Sequence, residues 1–124
     1  EGVLKMGERA YNFAKYLYNT YKKPIMIGYI GISSFNNFEN IQKQALENLL
    51  IYYEKLKTEM PFMGINYFIL FDDIKKSGSE RYYGLIYTNG KIKPAFFSFK
   101  KFDIIISHSF SVPTINGIGI IVFI

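Results

Sequence analysis

Apolar positions recur at helical spacing from the start of the chain: Val3, Met6, Ala10, Phe13, Ala14, Leu17, Tyr18 and Tyr21, with Lys5, Glu8, Arg9, Lys15 and Asn19 between them. That period predicts an amphipathic helix over residues 3–21, and Lys22 and Lys23 suit its negative C-terminal end. Pro24 stops it, and residues 25–30, IMIGYI, follow as a near-continuous apolar run, the pattern of a strand covered on both faces. SSFNNFEN then reads as a loop with Asn37 as N-cap, which puts Glu39 in the first turn of a second helix. The apolar set of that helix is Ile41, Ala45, Leu46, Leu49, Leu50, Tyr53 and Leu56, and it ends near Thr58.

Pro61 and Gly64 mark the turn into a second strand, INYFILF, over residues 65–71. Two apolar strands joined by a helix of about 20 residues require a right-handed crossover and parallel pairing. Parallel sheets carry their sites at the C-terminal ends of the strands. Here those ends are residues 29–34 and Phe71-Asp72-Asp73. Residues 74–92 form a long polar loop interrupted by YYGLIY, with a turn at Thr88-Asn89-Gly90; loops of that length are usually functional or disordered. Pro94 opens a short helix, and residues 103–124 hold two β-rich runs around a Pro/Asn/Gly turn region that can pair as a hairpin.

With 124 residues, 49% of them hydrophobic, the chain has material for one core: one domain or part of one. The absence of cysteine removes disulfides, thiol catalysis and Cys-based zinc sites, and a lone histidine, His108, removes a His-rich metal cluster or a Ser/His relay. Ser33 and Ser34 therefore read as loop caps, His108 reads as structural, and neither a metal nor a cofactor is expected. The charge of +5 comes mostly from scattered lysines, Arg9 and Arg81 being the only arginines, so no nucleic-acid partner is expected. The ends carry no signal peptide and no cap, as if the chain were cut from something larger. The closing IGIIVFI is far short of the roughly 20 residues that span a bilayer, and whether it begins a membrane anchor stays open, as does the compartment.

KPIMIGYIGISS, a helix with a glutamine near its start, INYFILFDD, a loop with Glu80, YYGL, an NGK turn and KPAF follow one another over residues 23–99. This ordered set resembles the C-terminal end of the (β/α)8 barrel of retaining glycoside hydrolases, and among them the β-glucan hydrolases whose seventh strand ends in a glutamate-X-glycine-X-serine pattern. The resemblance implies an α/β chain comprising helix 6, strand 7, helix 7, strand 8 and a short helix 8. Residues 1–102 would be the partial barrel and residues 103–124 an apolar tail outside the likeness. The missing remainder of the barrel would be a partner, since two strands of eight do not make a barrel. Tyr29 stands where the family has its nucleophilic glutamate, while Gly28, Gly31, Ser33 and Ser34 keep the motif around it. Phe71, Asp72, Asp73, Lys75, Glu80 and Tyr83-Gly84-Leu85 match the eighth-strand pattern, with aspartate for glutamate at Asp73 and Ile74 in place of a tryptophan. The acid/base glutamate after the fourth strand has no counterpart here.

Retaining hydrolysis needs two carboxyl groups about 5–5.5 Å apart. A phenol with a pKa near 10 is a poor nucleophile unless a neighbouring base, Asp72 or Asp73, deprotonates it. Three readings of Tyr29 follow: a lost nucleophile, a working tyrosine, or an aromatic strand end with no catalytic ancestry. The chain alone is expected to be inactive. An oligosaccharide or polysaccharide is the expected partner, held by Phe71, Asp72, Asp73, Lys75, Glu80 and Tyr83, with Tyr82 and Tyr87 as further stacking surfaces. Tyr67 and Phe68, mid-strand, are expected in the core. The alternatives are a small α/β binding or interaction domain, or part of a membrane-anchored cell-surface protein.

Overall fold

The computed structural model describes residues 2–100 and, as backbone, residues 105–107, 114–115 and 118–119. Helix α1 spans Met6–Tyr21, strand β1 Ile25–Ile30, helix α2 Glu39–Glu59 and strand β2 Phe62–Phe68. A 3-10 turn over Gly78–Tyr82 interrupts the long loop, and α3, Pro94–Phe99, starts at its proline. The two strands pair in parallel, from Ile25 opposite Phe62 to Ile30 opposite Tyr67. The chain is thus a small mixed α/β domain in which α2 crosses between two parallel strands and packs against α1 and α3.

The apolar stripe of α2 forms the core. Ala45, Leu46, Leu49 and Leu50 are fully buried against Ile65 and Tyr67 of β2, Leu85 of the loop, and Ala95 and Phe99 of α3. Each leucine so buried contributes about 1.5–3 kcal/mol. Ala14 of α1 meets Leu56 and Met60 at the other end of α2 in a smaller cluster.

Several boundaries depart from the periodicity. The first helical turn begins at Met6, residues 2–5 forming a turn before it. Phe38, not Asn37, occupies the N-cap position of α2 and makes no side-chain cap, while Asn36 and Asn37 ahead of it adopt left-handed backbone, at φ 60° and 63°. Strand β2 begins and ends three residues before the expected 65–71. Its Gly64, at φ 137°, sits where the register slips between Ile25 and Met26: a bulge inside the strand and not a turn ahead of it. Past Phe68 the chain leaves β1, and Phe71 bridges Ile86 instead.

The expectation that β1 is covered on both faces does not hold: Gly28 and Tyr29 are exposed, the latter by 66%. Among the described residues β1 is an edge strand, and the helix it contacts is α1, which leaves Gly28 and Tyr29 open. In the tail, the first β-rich run joins the sheet and not a hairpin, with Ile105–Ser107 (β3) parallel to β2. Thr114–Ile115 (β4) pairs antiparallel with Ile118–Gly119 (β5). His108 and residues 120–124 of the closing apolar run lie outside the described residues. No helix among the described residues is long and apolar enough to cross a membrane.

Candidate functional site

Parallel pairing delivers the ends of β1 and β2 to the same edge of the sheet, and a cavity of about 400 Å³ opens there. Tyr29 of β1 lies over the ring of Phe68 at the end of β2, centroids 4.7 Å apart and planes 25° from parallel. The Tyr83 ring also meets that of Phe68, tilted by 52° with 6.3 Å between centroids. Asp73, Lys76 and Glu80 complete the polar wall, and Gly31 and Ile69 line the floor. The 3-10 turn sets that wall: the Asp73 amide donates to the Arg81 carbonyl and the Lys76 amide to the Asp73 carbonyl, while Asp73 Oδ1 accepts from the Lys75 amide. Lys76 Nζ is 3.9 Å from Glu80 Oε2, both side chains more than half exposed, so this pair adds little stability and leaves both groups free to rearrange.

Four of the residues singled out from the sequence, Tyr29, Asp73, Glu80 and Tyr83, therefore meet on one cavity, and three do not. Phe71 is 38% exposed away from it, Lys75 contributes only its backbone, and Asp72 is buried at 7% exposure. Phe68, expected in the core, lines the cavity because β2 ends three residues early, whereas Tyr67 is fully buried as expected. Lys76 carried no signal that set it apart from Lys75. Tyr82 and Tyr87 border a different, polar hollow with Ser34, Asn36 and Glu39.

Partial burial raises the pKa of the Tyr29 phenol, and among the described residues no carboxylate hydrogen-bonds to its hydroxyl. At neutral pH it is a neutral phenol with a ring face for stacking. Among the described residues no group of three or more acidic or histidine side chains could hold a metal ion.

Behind the cavity lies a buried polar cluster that the sequence pattern concealed. Lys93, the residue before α3, is fully buried and donates from Nζ to Asp72 Oδ1 at 2.6 Å, to Ser34 Oγ at 2.9 Å and to the Tyr82 carbonyl at 3.4 Å. Its ammonium also sits 4.7 Å from the centre of the Tyr87 ring. Asp72 Oδ1 accepts the Gly84 amide at 2.9 Å as well. Burial lowers the Lys93 pKa, opposed by the hydrogen bond and charge of Asp72. Gln42, the glutamine near the start of α2, donates to the carbonyls of Ile32 and Gly84 at 2.9 and 3.0 Å and ties the two loops above the sheet.

Tyr87 hydrogen-bonds to Glu39, whose carboxyl is held below its ordinary range chiefly by that hydroxyl. The phenol is pushed up to about 12, first by burial and then by Glu39, and burial drives Tyr67 upward too. A raised phenol pKa stabilises the fold below the unfolded value of about 10 and loses that contribution as pH climbs through the folded value. Lys93 acts with the opposite sign, but only below its ordinary 10.5. The thermal midpoint is therefore expected to fall between pH 10 and about 12, with a shallower fall in Tyr87→Phe. Superimposable alkaline profiles for wild type and Tyr87→Phe would show that this tyrosine carries none of it.

Compared with protein-family models, with curated proteins and with solved structures, the chain matches none.

Proposed function

We propose that the chain is the C-terminal part of a (β/α)8 carbohydrate-active barrel whose cleft binds a β-glucan or related oligosaccharide without hydrolysing it. One observation carries this reading: Tyr29 of β1 and Asp73, Glu80 and Tyr83 of the segment after β2 line a single cavity at the C-terminal edge of a parallel pair. The chemistry of that lining suits a sugar. A pyranose presents a face of C–H groups and a rim of hydroxyls, which the rings of Tyr29, Phe68 and Tyr83 and the polar ends of Asp73, Lys76 and Glu80 complement. Hydrolysis lacks support for the same reason. Retaining cleavage needs a low-pKa carboxylate at the anomeric carbon, and the side chain at the β1 end is a phenol whose pKa is raised, not lowered.

Titration of the chain with a soluble β-glucan oligosaccharide, followed by NMR, is expected to shift Tyr29, Asp73, Glu80 and Tyr83 with a Kd near or above about 1 mM, as fits a small and open site. Tyr83→Ala should weaken it at least about tenfold, close to the alanine cost of a base stacked on an aromatic ring. An aryl β-glucoside should remain intact. Undisturbed cleft resonances at saturating sugar would favour the α/β interaction domain instead, and turnover that vanishes in Tyr29→Phe would establish the working tyrosine.

A further inference from the structure

The contacts of Lys93 converge from three separate segments. Ser34 belongs to the loop after β1, Asp72 to the extension of β2, and Tyr82 to the end of the 3-10 turn. The Tyr82 carbonyl is shared, accepting also the Ser34 amide at 2.9 Å and the Ser34 hydroxyl at 3.3 Å. Two of the three residues held in this way immediately precede residues of the cleft: Asp72 precedes Asp73, and Tyr82 precedes Tyr83. Asp72 adds a second tie, to the segment just after that turn, through the Gly84 amide.

The 2.9 Å between Ser34 and Lys93 resembles the spacing of a serine activated by a lysine base, but the donors argue otherwise. The ammonium gives its protons to Asp72, Ser34 and Tyr82, so it presents no lone pair, and the serine is only 3% exposed with its hydroxyl turned to a carbonyl. Asp72 is no better placed to meet a solute, since its Oδ1 is engaged by Lys93 and Gly84 and its side chain is 2% exposed.

We propose that the buried Lys93–Asp72 pair is a positioning element of the cleft, fixing the spacing of Asp73 and Tyr83, and that Asp72 is not itself a saccharide contact. The ligand in this proposal rests on the carbohydrate reading; the positioning does not. Replacing both partners by apolar groups of similar length removes the cost of burying two charges, and such exchanges are often neutral or stabilising. The double variant Lys93→Met/Asp72→Leu therefore separates positioning from stability.

Its melting temperature is expected to fall less than that of Asp72→Ala, because no charge is stranded although the Gly84 amide loses its acceptor in both. Amide hydrogen exchange at Ser34 and Asp73, whose acceptors the double variant keeps, should rise at least about tenfold with Leu49 and Leu50 of α2 unchanged, and β-glucan affinity should fall at least about tenfold. Wild-type exchange at those two amides would overturn the proposal, and so would faster exchange with undiminished affinity. If the wild-type chain binds no β-glucan, the carbohydrate reading fails and the exchange measurement alone decides the positioning. If the double variant does not fold, Ser34→Ala removes the hydroxyl's bonds to Lys93 and to the Tyr82 carbonyl and keeps the ion pair. It should then raise exchange at Asp73 and Gly84 about threefold, and no change would overturn the proposal.

Discussion

Asp72→Ala is expected to lower the free energy of unfolding by about 3–5 kcal/mol at pH 7, the cost of leaving a buried charge without its counter-ion. The substitution strands the Lys93 ammonium, which has no exposure to water, and takes the acceptor from the Gly84 amide. The pH dependence distinguishes this cause from a simple loss of packing. In wild type, burial lowers the Lys93 pKa while Asp72 works against it; without the carboxylate, burial is opposed only by the more distant Glu39. The folded variant then holds fewer protons than the unfolded chain over the interval below 10.5, so its stability climbs with pH across that interval. Denaturant unfolding at pH 7 and at about pH 9.5 should show the deficit shrinking. A loss under about 1 kcal/mol at pH 7, or a deficit indifferent to pH, would mean that the ammonium finds another partner.

Gly84→Ala should be comparably severe, at about 3 kcal/mol or more. A methyl group there would lie 2.2 Å from the Asp72 nitrogen and 2.4 Å from the Phe71 carbonyl carbon, atoms of a backbone that has nowhere to retreat. The same approach lets the Leu85 and Ile86 amides reach the Leu70 carbonyl and the Asp72 amide reach Ile86, so forcing the segments apart breaks several bonds at once. Gly28→Ala is the control, since a Cβ at Gly28 meets nothing within 4 Å. Equal thermal midpoints for the two variants would contradict the clash.

The order of helices and strands was legible because each depends on a local period. The stripe of α2 repeats over 21 residues, and IMIGYI is apolar nearly throughout. Ends and faces were less so. Gly64 reads as punctuation in sequence, yet a bulge uses the same permissive backbone within a strand, and only the pairing with Ile25 and Met26 tells the two apart. Tyr29 sits in an apolar run, but its exposure depends on which neighbours cover β1, which a local pattern does not encode.

The candidate cleft was partly visible, since strand ends can be counted and bring out Tyr29 and Asp73, while Glu80 and Tyr83 lie in the loop and were singled out by the resemblance. Asp72 and Asp73 look alike in sequence and differ completely in place, one buried on a lysine and the other on the cavity wall. Lys93 was the hardest to find, because a charged side chain defaults to solvent and its partners lie far off in the chain. The remaining hint was local: it interrupts an apolar stretch, Ile92 to Ala95, immediately before a helix begun by proline.

That separation along the chain also bears on when the cleft forms. The Lys93–Ser34 contact joins positions 59 residues apart, and it can close only after β1, α2 and β2 have come together. Loop closure is costly before other contacts reward it, so the α2 core is expected to condense first and the lysine to seat late. Interactions absent from the folding transition state act on unfolding and leave the forward rate nearly untouched. Destabilising mutations at the Lys93–Asp72 pair, such as Asp72→Ala, would thus leave the chain folding at its usual speed and coming apart sooner.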